Sequence, residues 1–357
     1  MIDSLGRLKQ ILKKNKLDAA LISSISNITY LTNFSGFSKE EREAYLFVAK
    51  NSQYILTDRR YSEAVKRLIT AFELIEISSK NSVKEILEKL KSKHKIKKIG
   101  FEGHNITFLE HKKLLQRFDD SNHRSLESLR IIKSSNEISK IKKACELGDK
   151  TLDYILKKIK LGVTEKQIAF EIEFFIKKQG ADIAFSPIVA FGKNSAFPHH
   201  QTTDQRLTTK DKFVLLDFGV KLNNYCSDMT RTVFFGQPTS EQKKMYETVL
   251  EAQKLAIEQL NNETIASQID KVARDYITSK GYKIIPHNVG HGIGIDVHEA
   301  PRLSPKSKNT LKSGMVFTIE PGTYIPNFGG VRTEDVVVLE KSGPRLLTGS
   351  PRKLTIL

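Results

Sequence analysis

The strongest constraint on this chain is a set of acidic side chains lying where apolar strands should be. Asp217 interrupts the apolar run Phe213–Phe218, and Asp228 sits in the segment Tyr225–Phe235 that follows the turn-forming Leu222-Asn223-Asn224. A buried, unpaired carboxylate is costly, so a strand that carries one needs a partner for it. The same construction recurs further on. Glu320 ends the strand-like Met315–Pro321, Gly329-Gly330 marks a turn region, and Glu334 lies in the returning Val331–Leu339. His291 stands in Gly290-His291-Gly292, where flanking glycines let backbone pack closely. Four carboxylates and one imidazole carry about four negative charges at pH 7. Two divalent cations would neutralise that set, which would otherwise repel itself strongly.

A hairpin centred between Leu222 and Asn223 would set Asp217 directly opposite Asp228, with Cβ atoms about 4.5–5.5 Å apart. A second hairpin, centred on Asn327, would set Glu320 opposite Glu334. Two acidic hairpins facing each other would build an oxygen-rich pocket.

The first part of the chain reads as an α/β unit. An amphipathic helix is expected over Ile2–Asn15, with Leu5, Leu8, Ile11 and Leu12 on one face. Strands are expected at Ala19–Ile22, Tyr45–Ala49, Gln53–Thr57 and Ile99–Glu102, and helices at Ser62–Leu68 and Val83–Leu90. Asp58-Arg59-Arg60-Tyr61 reads as a turn and not a site. Polar composition over Ser121–Arg130 places a linker there and divides the chain into residues 1–127 and 128–357. The second unit opens on the helix-start signal Ser134-Ser135-Asn136-Glu137, and its first helix is expected to continue through Ile159 until Gly162 stops it. Thr164 with Gln167 caps a second helix ending at Gly180, Thr239 with Gln242 caps a third over Ser240–Leu260, and a fourth covers Ile265–Ser279.

The net charge of +17 raises the question of nucleic acid. The excess is mostly lysine, scattered over stretches such as Lys84–Lys98 and Lys140–Lys143, without aromatic interleaving or a recognised nucleic-acid motif. It reads as a solvated lysine-rich surface that can attract anionic peptides, and no nucleic-acid partner is expected. No apolar run reaches the roughly 18 residues of a membrane span, and Met1–Gln10 lacks the apolar core of a secretory signal. Cys145 and Cys226, the only cysteines, have no metal-ligand spacing. A cytoplasmic chain without disulfides or a membrane partner is expected.

Six stretches taken together carry a family resemblance: Leu216-Asp217-Phe218-Gly219, Ser227-Asp228-Met229-Thr230-Arg231-Thr232, Gly290-His291-Gly292-Ile293-Gly294, Val297-His298-Glu299-Ala300-Pro301, Thr318-Ile319-Glu320-Pro321-Gly322 and Gly330-Val331-Arg332-Thr333-Glu334-Asp335. They resemble the motifs of the pita-bread metallopeptidases, the family of methionine aminopeptidase, aminopeptidase P and prolidase, over about residues 130–350. The first 127 or so residues look like a creatinase-type N-terminal domain. The resemblance implies an α/β (α+β) chain, in which a creatinase-type domain precedes a curved antiparallel sheet covered by helices. Arg332 in the last motif, together with the N-terminal domain, is similar to the aminopeptidase P and prolidase branch, and creatinase itself lacks the full metal set. The implied activity is cleavage of the peptide bond before proline, by an Xaa-Pro aminopeptidase or, alternatively, an Xaa-Pro dipeptidase. A non-enzymatic binding module on the same fold is the remoter alternative.

Residue roles follow from the resemblance. The residues matching Asp228 and Glu334 bridge two metals, Asp217 completes one, and His291 with Glu320 completes the other. Hard oxygen ligands suit manganese and tolerate cobalt or zinc. A cation pair about 3.5–4 Å apart can hold a hydroxide that attacks the carbonyl before proline, with Glu320 as proton shuttle. His298 would stabilise the tetrahedral intermediate. His199 matches a substrate-site histidine, although the doublet His199-His200 leaves the register open by one residue. Arg332 would bind a substrate carboxylate or, preferably, orient Asp228 or Glu334; His287 would support the site, and Phe185–Gly192 would form its wall. Proline-containing peptides are the implied substrates and a homodimer the implied assembly. A general peptidase site expecting an N–H rejects proline, whose ring also fixes φ, so a dedicated pocket is needed.

Overall fold

The computed structural model describes residues 4–38, 40–116, 118–119, 127–283 and 285–357. The chain divides into two compact units, Met1–Arg130 and Ile131–Leu357. Of the linker expected over Ser121–Arg130, residues 121–126 lie outside the described residues, and Glu127–Arg130 forms a single 3-10 turn. The start of the helix expected at Ile2 also lies outside them.

The first unit comprises α1 (Ser4–Lys14), β1 (Ala19–Ile22), α2 (Ile25–Thr32), β2 (Ala44–Ala49), β3 (Gln53–Asp58), α3 (Arg59–Leu68), β4 (Glu73–Ile77), α4 (Val83–His94), β5 (Ile99–Phe101) and α5 (Phe108–Leu114). Its five strands form one mixed sheet in the order β4-β3-β2-β1-β5. Asp58 accepts from the Arg60 amide and caps α3, so the polar stretch at 58–61 starts a helix. Helix α2 lacked a readable signal because nearly all its residues are buried, which erases amphipathic contrast.

The second unit carries α6 (Ser135–Leu156), α7 (Glu165–Lys178), β6 (Asp182–Ile183), β7 (Ile188–Phe191), β8 (Phe213–Phe218), β9 (Val220–Leu222), β10 (Tyr225–Cys226), β11 (Met229–Phe234), α8 (Ser240–Glu258) and α9 (Ala266–Ser279). It continues with β12 (Gly290–Gly292), β13 (Glu299–Leu303), β14 (Val316–Ile319), β15 (Gly322–Ile325), β16 (Gly329–Arg332), β17 (Asp335–Glu340) and β18 (Gly343–Leu346). Its strands pair antiparallel in the orders β10-β9-β6, β11-β8-β7, β13-β12-β14-β17-β18 and β15-β16. Capping boxes at Ser134/Glu137, Thr164/Gln167 and Thr239/Gln242 start α6, α7 and α8; each cap contributes about 1 kcal/mol. Helix α6 ends at Leu156, earlier than expected. Gly162 is instead held across the chain, its amide donating to the Leu207 carbonyl, so it serves a turn after the helix.

Two apolar cores flank the strands. Val189, Val214, Leu216 and Phe218 pack with Ile168, Ile172 and Ile176 of α7. Phe213, Phe234, Phe317 and Val337 pack with Tyr246 and Val249 of α8 and with residues of α9. Each such side chain contributes about 1.5–3 kcal/mol on burial. Along β8 the side chains alternate, so Val214, Leu216 and Phe218 face the first core and Asp217 projects from the opposite face.

Candidate metal centre and active site

The register of the two hairpins decides where the acids fall. In the first, Leu222 pairs with Tyr225 and Asp217 with Thr230, so the turn is centred between Asn223 and Asn224, one position later than expected. Both asparagines adopt left-handed φ values of 49° and 70°, the two-residue turn that matches strand twist and that asparagine tolerates. Asp228 therefore does not oppose Asp217. It lies two residues before Thr230, and the even shift keeps both acids on one face. In the second hairpin Gly322 pairs with Arg332 and Ile319 with Asp335, the register of a turn centred on Asn327. Glu320 and Glu334 sit in the gap between these two ladders, their amides donating instead to the Val289 and Thr230 carbonyls.

His291 occupies the middle of β12. A Cβ on Gly290 would collide with the Thr318 carbonyl oxygen, and one on Gly292 with that of Ala300, so both flanking positions need glycine. The ring Nδ1 lies 3.2 Å from the Gly292 carbonyl oxygen. A proton on Nδ1 satisfies that contact and leaves Nε2 with a lone pair. Nε2 lies 3.4 Å from Glu320 Oε1 and 3.6 Å from Asp228 Oδ2. Ligand atoms of Asp228, His291 and Glu334 lie within 4.8 Å of one another. Burial lowers the His291 pKa to about 4, so its ring is neutral at pH 7.

The carboxylates are buried among one another. Burial, then Asp217 and Glu320, push Asp228 well above the carboxylate range, and burial, then Asp228 and Glu320, do the same to Glu334. Burial pushes Glu320 up to about 8, against the opposing pull of Arg332. Asp228 Oδ1 and Glu334 Oε1 are buried without a hydrogen-bond partner among the described residues. Buried acceptor atoms without a partner, beside a neutral imidazole whose lone pair lies near Asp228 Oδ2 and Glu320 Oε1, fit divalent cations, which would supply the missing positive charge.

Arg332 ties the acids together. Its Nη2 pairs with Asp217 Oδ2, its Nε donates to Thr230 Oγ1 at 3.0 Å, and that hydroxyl donates to Glu334 Oε2 at 2.7 Å. Nη1 donates to the Pro198 carbonyl at 3.1 Å and to the Tyr324 hydroxyl at 3.0 Å. Tyr324 in turn lies 2.8 Å from His287 Nε2, while His287 Nδ1 lies 2.8 Å from the Asn288 carbonyl. Burial holds the His287 pKa down at about 3, so its ring is neutral and accepts from Tyr324. The guanidinium is thus committed to protein groups.

Asp217, Asp228, His291, Glu320, Glu334, His298, His199, His287 and Arg332 all line one cavity of about 340 Å³. His298 packs edge-on against His291 with ring centroids 4.4 Å apart. Its loop is held by a buried pair, Lys133 Nζ to Glu299 Oε2 at 3.1 Å. His199 faces the cavity, whereas His200 Nε2 lies 2.8 Å from Glu165 Oε2 and belongs to the scaffold. Phe185, Ile188 and Val297 give the cavity an apolar wall.

Arg302, Tyr324 and Thr230 were missed from sequence. Arg302 is exposed, lines the cavity and pairs in register with His291 across β12 and β13. Strand alternation could have found it, had β13 been readable around Pro301. Tyr324 and Thr230 lie at ordinary strand positions, and only the three-dimensional network distinguishes them.

Residues 139–341 match the profile of Metallopeptidase family M24, and residues 5–133 that of the Creatinase/Prolidase N-terminal domain. The chain belongs to metallopeptidase family M24, a family that implies divalent metal ions. It is 35% identical over 363 residues to a Pyrococcus horikoshii Xaa-Pro dipeptidase, covering 99% of each chain. Among solved structures, it is similar to an Xaa-Pro dipeptidase from Bacillus anthracis, with a TM-score of 0.91, 35% identity and 99% coverage of both chains. It is also similar to an X-Pro aminopeptidase from Thermotoga maritima, with a TM-score of 0.89, 33% identity, and coverage of 99% of this chain and 100% of that one. Both structures share the two-domain fold. Among the described residues no helix is long and apolar enough to cross a membrane, and Cys145 and Cys226 are buried and form no disulfide.

Proposed function

We propose that this chain hydrolyses the peptide bond before proline, as an Xaa-Pro aminopeptidase that uses two divalent cations, manganese in the first instance. The observation that carries the reading is the convergence of four carboxylates and a proton-free His291 Nε2 on one cavity. Asp228 and Glu334, each with an oxygen that has no hydrogen-bond partner among the described residues, would help hold both cations; Asp217 would complete the holding of one, and His291 with Glu320 that of the other. When bound, the cations supply an activated water and polarise the substrate carbonyl.

The remaining roles belong to the side chains. Glu320, a carboxylate lining the cavity beside His291, accepts the proton of the attacking water. His298, beside His291 at the cavity wall, donates to the oxygen that gains negative charge as the carbonyl becomes tetrahedral. His199 orients the peptide from the opposite loop. Phe185, Ile188 and Val297 offer an apolar face to the proline ring, which brings no N–H in need of an acceptor. Arg332 positions Asp217 and, through Thr230, Glu334, and its committed donors argue against contact with a substrate carboxylate.

A second reading, Xaa-Pro dipeptidase, is favoured by Arg302, an exposed cation at the cavity able to engage a free carboxylate. A length series of Ala-Pro peptides with product analysis separates the two. Cleavage confined to the dipeptide selects the dipeptidase, cleavage of longer peptides the aminopeptidase, and cleavage of neither refutes both.

Residues 1–127 are assigned to the creatinase-like domain and 128–357 to the catalytic domain, a boundary supported by the nearby contact division at Arg130. Buried cysteines that form no disulfide suit a reducing compartment, which supports a cytoplasmic location. The family resemblance leads us to a homodimer, to be checked by light scattering.

A further inference from the structure

Glu165 is the first residue of α7, and its side chain is completely buried (0% exposed). A glutamate there is not required to cap the helix, because Thr164 and Gln167 already form the capping box. Its carboxylate instead gathers donors from one distant loop. Oε1 accepts from the Phe191 amide and from Asn194 Nδ2, each at 2.8 Å. Oε2 accepts from the Thr203 amide at 2.9 Å and the Thr203 hydroxyl at 2.7 Å, and lies 2.8 Å from His200 Nε2. Both ends of the segment 191–203 are thereby fixed to one buried anion.

That segment carries two groups of the site. The Pro198 carbonyl accepts from Arg332, and His199 lines the cavity. With His200 drawn to Glu165, its chain neighbour His199 is presented to the cavity. A third tether, the Gly330 amide donating to Ser195 Oγ at 2.8 Å, joins the same loop to β16. Burial opposes ionisation of Glu165, but its hydrogen bonds outweigh that cost and hold its pKa below the ordinary value.

We propose that Glu165 is a positioning residue for substrate binding: its buried carboxylate locks the loop 191–203 so that His199 faces the substrate. This rests on the reading of His199 as a substrate group. The five metal-ligand candidates lie on other elements, so Glu165 should affect the peptide and leave the cations alone.

The experiment is a double-mutant cycle with Glu165→Gln and His199→Ala, read as kcat and KM for an Ala-Pro peptide, with a manganese titration of each variant. Glu165→Gln is expected to bind manganese within about twofold of wild type and to lose about 10²-fold in kcat/KM. The loss should divide between kcat and KM as it does in His199→Ala, and the double variant should be no worse than His199→Ala alone. Should Glu165→Gln fail to fold, Thr203→Val, which removes a single donor, must show the same non-additivity with a smaller loss. Losses that multiply, or a Glu165→Gln enzyme with unchanged kcat/KM, would overturn the proposal. A wild type that cleaves no Ala-Pro peptide, or a His199→Ala enzyme equal to wild type, would instead refute the parent reading of the site and this one with it.

Discussion

The guanidinium of Arg332 and the carboxylate of Asp217 form a buried ion pair that joins the two acidic hairpins, 115 positions apart in the chain. Removing one member leaves the other buried and uncompensated. Arg332→Gln should therefore weaken manganese binding and activity by about 10–100-fold. Arg332→Lys should recover only part of the loss, because an ammonium cannot reach Asp217, Thr230 and Tyr324 together. Calorimetric titration with manganese checks both. An Arg332→Gln protein with wild-type affinity would show that the bridge has no part in holding the site.

Glu334 and Asp228 are buried acceptors, Asp228 helps push the Glu334 carboxyl up, and a cation held by both would relieve that repulsion. Glu334→Gln should abolish turnover and leave the fold intact. It should also melt higher than wild type in chelator at pH 8 and lower than wild type in excess manganese. Melting curves in the two buffers test this crossover, and the same order of stability in both would count against a cation site.

The pH dependence of the cation-free protein has a definite sign. Glu320 titrates at about 8, raised from an ordinary 4.5. A group with a raised folded pKa stabilises fully below its unfolded value, and its contribution fades as pH rises through the folded one. In chelator, wild type should therefore lose stability relative to Glu320→Gln between about pH 5 and about pH 9. A constant difference between the two proteins across that range would contradict the burial assigned to Glu320.

His298 lies outside the proposed ligand set but touches His291. His298→Ala should lower kcat by about 10²–10³-fold, the magnitude expected for a lost oxyanion donor, with manganese affinity within about twofold of wild type. A parallel loss of metal would make it a ligand support and not a catalytic group.

The acids were legible because buried strands rarely carry carboxylates, and the second register was legible because Asn327 and Gly329 mark its turn. The first register was misjudged by one residue because Asn223 and Asn224 both accept left-handed backbone, and polarity alone does not reveal which pair forms the turn. Arg332's commitments, the separation of His199 from His200, and the anchor at Glu165 depend on groups far apart in sequence. No local pattern encodes them.

The central claim is that Asp217, Asp228, His291, Glu320 and Glu334 together hold two cations. Anomalous diffraction from manganese-loaded crystals tests it most directly. Two peaks are predicted, both within ligand distance of these five side chains and with Asp228 and Glu334 reaching both. A single peak, or peaks held by other residues, would contradict the account.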